Sequence, residues 1–257
     1  MKMIADSVWE EIKSEIPVKK SKVGRPESDS KKVLSGILYV LETGCQWRNL
    51  PPQFGPKSTV HGKFRKWICE GVFERIMKKA RVLYFRKKGL ISNWFSSDTR
   101  SCKAPFASWG GPNPTDRRKN GVKSSSIVDW DGAPLSVSVG PANMHDSKFL
   151  KKTFRKHELP TSTNVIILAT DAAYDSKALR ALLKKQNVVL LSATNRRRNK
   201  ESTSYKPGHR WVAERTWGWQ VWYRGLKICW TKTESAFLAN LQLASSLQLF
   251  KMAGIFG

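Results

Sequence analysis

Apolar residues recur at helical spacing through the first third of the chain. Val8, Trp9, Ile12 and Ile16 predict a short helix over about 6–15. Val33, Ile37, Val40 and Leu41 predict a second, ending near Thr43, with Asp29 as its N-cap and Gly44 as its stop. Between them, the basic stretch Lys19-Lys20-Ser21-Lys22-Val23-Gly24-Arg25-Pro26 reads as a linker. Leu50-Pro51-Pro52-Gln53-Phe54-Gly55-Pro56 reads as an irregular loop, because proline removes backbone donors. Ser58 or Thr59 is expected to cap a third helix to about Cys69. Gly71 separates it from a fourth over 72–88.

The period then shortens. Residues 94–98 predict a strand. Residues 125–130 and 133–139 predict a hairpin turning at Asp131-Gly132. The apolar run at 165–170 suits a strand buried on both faces, and 188–191 reads as another apolar strand. A helix over 176–186, capped by Asp175 or Ser176, lies between them. A basic loop over 195–208 leads to a helix over 209–224 and an amphipathic one over 235–252. This order predicts an α/β fold, a mixed sheet flanked by helices, preceded by an all-α, helix-turn-helix-like N-terminal part. The expected domains are 1–90, helical and DNA-binding, and 91–257, catalytic.

Charge changes the picture most. The 257 residues carry 46 Lys and Arg against 20 Asp and Glu, a net +26. Residues 1–90 hold 20 basic and 9 acidic residues, so the excess runs through both parts. Such an imbalance speaks about partners, and nucleic acid is favoured over an anionic membrane surface. No apolar run reaches the ~20 residues of a membrane span, and no secretory signal opens the chain, so a cytoplasmic protein is expected. Cys45, Cys69, Cys102 and Cys229 are far apart, with only four histidines, which argues for reduced, mostly buried thiols and against zinc.

In so basic a chain, three acids stand out. Asp98 closes one predicted strand and Asp171 another, while Glu214 lies on a predicted helix. Strand-end carboxylates point into the crevice of an α/β sheet. Two of them, with a third acid from a helix, suit two Mg²⁺ ions (or Mn²⁺ as a substitute) and phosphoryl transfer. Each also has a plainer reading: Asp98 as a turn residue, Asp171 as the cap of a short turn before Tyr174, and Glu214 as the partner of Arg210 one turn earlier. For DNA contact the third helix offers Lys57, Ser58, Thr59, His61, Lys63, Arg65 and Lys66. Lys119, Lys123, Arg196, Arg197, Arg198, Arg210 and Arg215 are further phosphate-tracking candidates. Trp211, Trp217, Trp219 and Trp222 read as core residues, with stacking on a flipped base as the other possibility.

Several long motifs, in order, resemble the bacterial insertion-sequence transposases of the DDE, RNase H-like class, the fifth insertion-sequence family above all, a relative of the fourth. They are Gly24-Arg25-Pro26, the run from Gly36 to Pro51, Phe54-Gly55 with Ser58-Thr59-Val60, and the run from Gly111 to Arg117. Gly140-Pro141-Ala142-Asn143-Met144-His145-Asp146-Ser147, Asp171-Ala172-Ala173-Tyr174-Asp175-Ser176 and Arg210-Trp211-Val212-Ala213-Glu214-Arg215-Thr216 complete the set. The resemblance implies an RNase H-like catalytic domain with Asp98, Asp171 and Glu214 as the metal-binding catalytic triad. It makes Arg210 the arginine four residues before the glutamate. It implies nicking at terminal inverted repeats, attack of the freed 3′-hydroxyl on target DNA, and a homodimer on double-stranded DNA at the bacterial nucleoid. His145 and Asp146 are supporting candidates, or a turn capping the next helix. The chain departs from the fourth family's signature at Pro207, where a tyrosine is usual, and at Val221, where a lysine is. Arg215, Arg224 or Lys227 could supply that cation. Ser97 stands before the first acid, where an apolar residue is usual. A catalytically inactive, repurposed DNA-binding relative is the alternative.

Overall fold

The computed structural model describes residues 3–18, 27–89, 92–155, 158–159, 165–192 and 208–256. The predicted linker at 19–26, with its Gly24-Arg25-Pro26 motif, and the loop bearing Arg196, Arg197 and Arg198 lie outside the described residues.

Helix α1 (Asp6–Ile12) buries Val8 and Ile12 and runs into a 3-10 turn over Lys13–Glu15. Helix α2 (Ser30–Thr43) starts where expected, because the Asp29 carboxylate accepts from the backbone N–H groups of Lys31 and Lys32. It stops at Gly44, whose φ of 66° costs glycine little. Asp29→Ala is expected to lower stability by about 1 kcal/mol in urea unfolding.

Helix α3 (Lys57–Cys69) corrects one expectation, since neither Ser58 nor Thr59 caps it. The helix begins earlier, on Pro56, whose ring presets φ and whose carbonyl already accepts from Val60 N at 3.0 Å. The proline loop is also more ordered than it reads. It makes 3-10 turns over Trp47–Asn49 and Pro52–Phe54, and Phe54 is buried. A Cβ on Gly36 would lie 3.0 Å from the Phe54 Cβ, so α2 and this loop approach closely. Helix α4 (Val72–Lys88) leaves Gly71 as expected.

Six strands form one sheet: β1 (Trp94–Lys103), β2 (Gly111–Pro112), β3 (Asn120–Val128), β4 (Pro134–Pro141), β5 (Ile166–Thr170) and β6 (Val188–Ser192). β3 pairs antiparallel with β1 on one side and with β2 and β4 on the other. β1 pairs parallel with β5, and β5 with β6. This is the expected mixed sheet. β1 is twice as long as the sequence suggests. Its pairing with β5 ends at Ser96↔Ala169, whereas its pairing with β3 continues to Lys103↔Gly121. The second half of β1 thus lies beyond β5, and polar residues there hid it. The hairpin turn lies at 129–133. Its organiser is Asp129, whose Oδ1 accepts from the backbone N–H of Asp131 and of Ala133.

Helices α5 (Asp146–Thr153), α6 (Lys177–Lys184), α7 (Trp211–Gln220), α8 (Arg224–Lys227) and α9 (Glu234–Met252) complete the layers. The single helix expected over 209–224 is two, α7 and the start of α8, broken by a turn. α9 departs from its amphipathic expectation. It packs on β4 on one side and α4 on another, so it is buried nearly all round. Because α4 covers α9, one continuous apolar core runs from Ile4 to Ala253. Two polar links join α4 to the sheet. Tyr84 OH donates to Asp129 Oδ2 at 2.8 Å, and Arg81 Nη1 to the Leu135 carbonyl at 2.8 Å.

Candidate active site

Asp98 sits in the middle of β1, paired with Ser126 of β3. On its other side the parallel register runs Trp94↔Ile167, Phe95↔Leu168, Ser96↔Ala169. The same offset carried two residues further sets Asp98 beside Asp171, just past the end of β5. Glu214 comes from α7. That helix is seated by Val212 and Ala213, which pack on Val128 of β3. Val128 pairs with Ser96. Side chains alternate along a strand, so α7 covers the face of β1 that carries Ser96 and Asp98. The reading of Asp98 as a turn residue is therefore overturned.

The plainer readings of the other two acids both hold. Asp171 accepts from Ala173 N at 2.9 Å and caps the 3-10 turn Ala172–Tyr174. Glu214, half exposed, pairs with Arg210 at 2.7 Å. These roles do not remove the acids from the site. Burial pushes the Asp98 carboxyl up to about 6, and the charges of Asp171 and Glu214 add to it. Burial also raises Asp171, with the charge of Asp146 adding. Arg210 opposes both shifts while holding Glu214, so it is a neighbour common to all three acids.

Among the described residues, no three Asp, Glu, His or Cys side chains already converge as a metal cage. The donor set nevertheless fits a hard divalent cation. It consists of carboxylate oxygens only, and two of them resist ionisation because burial and like charges leave their negative form under-compensated.

The supporting candidates divide. Asp146 opens α5 and accepts from Thr99 Oγ1 at 2.9 Å and Lys123 Nζ at 2.8 Å. It thereby ties α5 to the residue after Asp98. Lys123 also donates to the Met144 carbonyl and is largely buried, so it faces inward and not toward DNA. His145 caps α5, its Nδ1 accepting from Ser147 N at 3.3 Å. The Thr99–Asp146–Lys123 tie was not visible in the sequence, since nothing there brings residues 99, 123 and 146 together.

On α3, Lys57, Ser58, Arg65 and Lys66 are exposed and Thr59 is partly covered. Lys63 is ion-paired with Glu27. His61 packs on Trp47 at 4.9 Å between ring centres, and burial lowers its pKa, with Arg65 adding. Lys119 is exposed. Arg215 lies over Trp211 at 4.7 Å and Trp219 at 4.9 Å and donates to the Asp131 carbonyl. Trp217 is buried as expected. Trp211, Trp219 and Trp222 are not core residues, being 48%, 42% and 83% exposed. The reason is the helix face: 212, 213, 216, 217 and 220 are buried, leaving 211, 215 and 219 on the outer ridge. His209 stacks flat on Trp130 at 3.5 Å. Cys102 and Cys229 are buried, Cys45 is partly covered and Cys69 exposed, all free. Among the described residues, no helix is long and apolar enough to cross a membrane.

Comparison with known proteins agrees with this layout. Residues 4–77 match the family described as “Putative transposase of IS4/5 family”, and residues 96–249 match “Transposase DDE domain”. The “Putative transposase for insertion sequence element IS402” of Burkholderia cepacia is 30% identical over 152 residues, 54% of this chain and 69% of that protein. An IS402 16.2 kDa protein from the same organism is 35% identical over 80 residues, 29% of this chain and 54% of that one. Among solved structures, a piggyBac transposase synaptic complex with hairpin DNA aligns with a TM-score of 0.46 at 11% identity, covering 98% of this chain and 73% of that one. A Mos1 mariner paired-end complex with Mn aligns at 0.29 and 11% identity, covering 90% and 80%.

Proposed function

The chain belongs to the DDE transposases of insertion sequences, and from that premise we propose that it cuts DNA at the terminal inverted repeats of its own element and joins the freed 3′-hydroxyls to target DNA. Asp98, Asp171 and Glu214 are the catalytic, metal-binding carboxylates in this reading. The observation that carries it is the β1–β5 register, which sets Asp98 beside Asp171 under the helix that bears Glu214.

Two bound Mg²⁺ ions, or Mn²⁺, would supply the charge that makes water or a 3′-hydroxyl nucleophilic near neutral pH and offsets charge on the leaving oxygen. The chain's own residues do the rest. Asp98 and Asp171 offer hard oxygens from two adjacent strands, a rigid base. Asp146, held by Lys123, accepts from the hydroxyl of Thr99, the residue after Asp98. Arg210 holds Glu214 at the rim and is a cation that can face a phosphate oxygen there.

The partner is double-stranded DNA. Two ends must be brought together, so the working form is a homodimer on the bacterial nucleoid. Residues 1–90 act as the DNA-binding domain, with Lys57, Ser58, Thr59 and Arg65 of α3 toward the duplex. Arg196, Arg197 and Arg198, which precede α7 in the sequence, are further candidates for contact with phosphate. Lys57→Ala with Arg65→Ala should weaken binding of terminal-repeat DNA and reduce the slope of log affinity against log salt by about 2. An unchanged slope would remove α3 from the interface.

One observation favours a second reading, a DNA-binding protein that no longer cuts: Glu214 is engaged by Arg210. The discriminating experiment incubates the purified chain with a duplex carrying the element's ends. Products with 3′-hydroxyl termini, dependent on Mg²⁺ and absent with EDTA, support the transposase. Tight binding without cleavage at any Mg²⁺ concentration supports the second reading.

A further inference from the structure

The loop between β2 and β3 holds two adjacent arginines in an unusual backbone state. Arg117 has φ of 49° and Arg118 has φ of 58°. L-residues avoid this left-handed region, because Cβ crowds the following carbonyl. The other non-glycine residue there among the described residues is Asn187, a type that tolerates it. Two successive arginines do not.

The surrounding loop over-determines this conformation. Asn113 is buried, and its Oδ1 accepts from Thr115 N at 3.1 Å and Thr115 Oγ1 at 2.9 Å. Its carbonyl accepts from Asp116 N and Arg118 N, and its own N–H donates to the Lys119 carbonyl at 2.9 Å. Lys119 N in turn donates to the Asp116 carbonyl. Yet the side chains at the tip are left to solvent. Arg117, Arg118 and Lys119 are all exposed, and among the described residues no ion pair or side-chain hydrogen bond reaches either arginine. Strain concentrates where function needs a fixed geometry.

The position suits a purpose. β1 runs five residues from Asp98 to Lys103, about 16 Å. Lys103 pairs with Gly121 at the base of this loop. The base of the loop therefore lies about five base-pair steps of duplex beyond Asp98 along the sheet, and the tip further still.

We propose that residues 113–119 form a preformed phosphate clamp, in which Asn113 locks the backbone of Arg117 and Arg118 so that they grip the DNA backbone half a turn or more from the cleavage point. The clamp rests on the reading of this chain as a DNA-binding transposase. It costs folding stability and returns DNA affinity, because the backbone that carries the two cations needs no ordering when the duplex arrives.

The test pairs two variants with the intact protein, using a duplex that carries the terminal repeat. Arg117→Gly with Arg118→Gly removes both charges and relieves the backbone. It should weaken binding, lower the salt slope by about 2, and raise Tm by about 2–4 °C. Arg117→Lys with Arg118→Lys keeps charge and strain, and should keep the slope and Tm of the intact protein. A glycine variant with an unchanged salt slope overturns the clamp. A glycine variant that melts below the intact protein overturns the strain behind it. If the intact protein itself binds this duplex with no salt dependence, the DNA reading fails instead of the clamp.

Discussion

Asp171→Asn is expected to lower metal-dependent DNA cleavage by about 10³-fold, because loss of one ligand charge removes several kcal/mol of transition-state stabilisation. Binding of the same duplex should stay within about twofold, since the contacts that hold DNA are dominated by distant cations. Folding should survive as well. Asp171 keeps a structural duty, accepting from Ala173 N at 2.9 Å, and the asparagine Oδ1 can accept in its place. The substitution thus separates charge from geometry. Single-turnover cleavage and filter binding, on one preparation, read the two effects. Cleavage at the rate of the intact protein would remove Asp171 from the site.

Asp98 should show the largest effect of pH. Its folded-state pKa is raised to about 6, chiefly by burial, from an ordinary value near 3.8. The folded protein therefore holds this proton more tightly than the unfolded chain does. Its contribution to stability is present below about pH 4 and is lost as pH rises to about 6. Two pKa units set an upper limit of about 3 kcal/mol for metal-free protein. Asp98→Asn should remove that dependence, so the metal-free variant should be more stable than its parent at pH 7 and nearly equal to it at pH 4. Activity moves the opposite way. Only the ionised carboxylate serves a cation, and proton and metal compete for it, so at subsaturating metal cleavage should fall as pH drops below about 6 and added metal should move the fall to lower pH. Urea unfolding of both proteins across pH 4–7 measures the first effect, and a pH–rate profile the second. If Asp98→Asn is no more stable than its parent at pH 7, the carboxylate is not buried as described.

Where a local signal decided structure, the sequence was readable. The Asp29 cap, the Gly44 stop, the Gly71 break and the apolar runs of β5 and β6 each rest on a few neighbouring residues, and they stand as read. Misreadings arose where distant contacts decide. β1 looked short because its second half is polar, and β3 supplies the pairing that extends it. α9 looked half-exposed because α4, some 150 residues earlier, covers its outer side. Trp211, Trp219 and Trp222 looked like core because their size suggests burial, but α7 turns the ridge of Trp211 and Trp219 outward, and Trp222 lies in the turn that follows it.

The candidate site divides the same way. Asp171 and Glu214 were legible from their motifs, and Asp98 from its strand. That Asp98 lies beside Asp171 needed the β1–β5 register. Nor could the sequence tell which cations are engaged. Lys123 is held by Asp146, Lys63 by Glu27 and Arg215 by two tryptophans, whereas Arg117 and Arg118 stand exposed. In the sequence, Lys63, Lys123 and Arg215 all read as phosphate contacts, and Arg117 and Arg118 were not singled out.

The central claim is that Asp98, Asp171 and Glu214 form one divalent-metal site. Titration of the purified protein with Mn²⁺, followed by the loss of free-ion paramagnetic resonance signal, tests it most directly. The intact protein should bind Mn²⁺ at pH 7.5 and release it below pH 6. Asp98→Asn and Asp171→Asn should each weaken binding at least about tenfold, and Glu214→Gln should weaken it less while Arg210 still engages that position. Mn²⁺ bound with unchanged affinity by Asp98→Asn and Asp171→Asn would contradict the account.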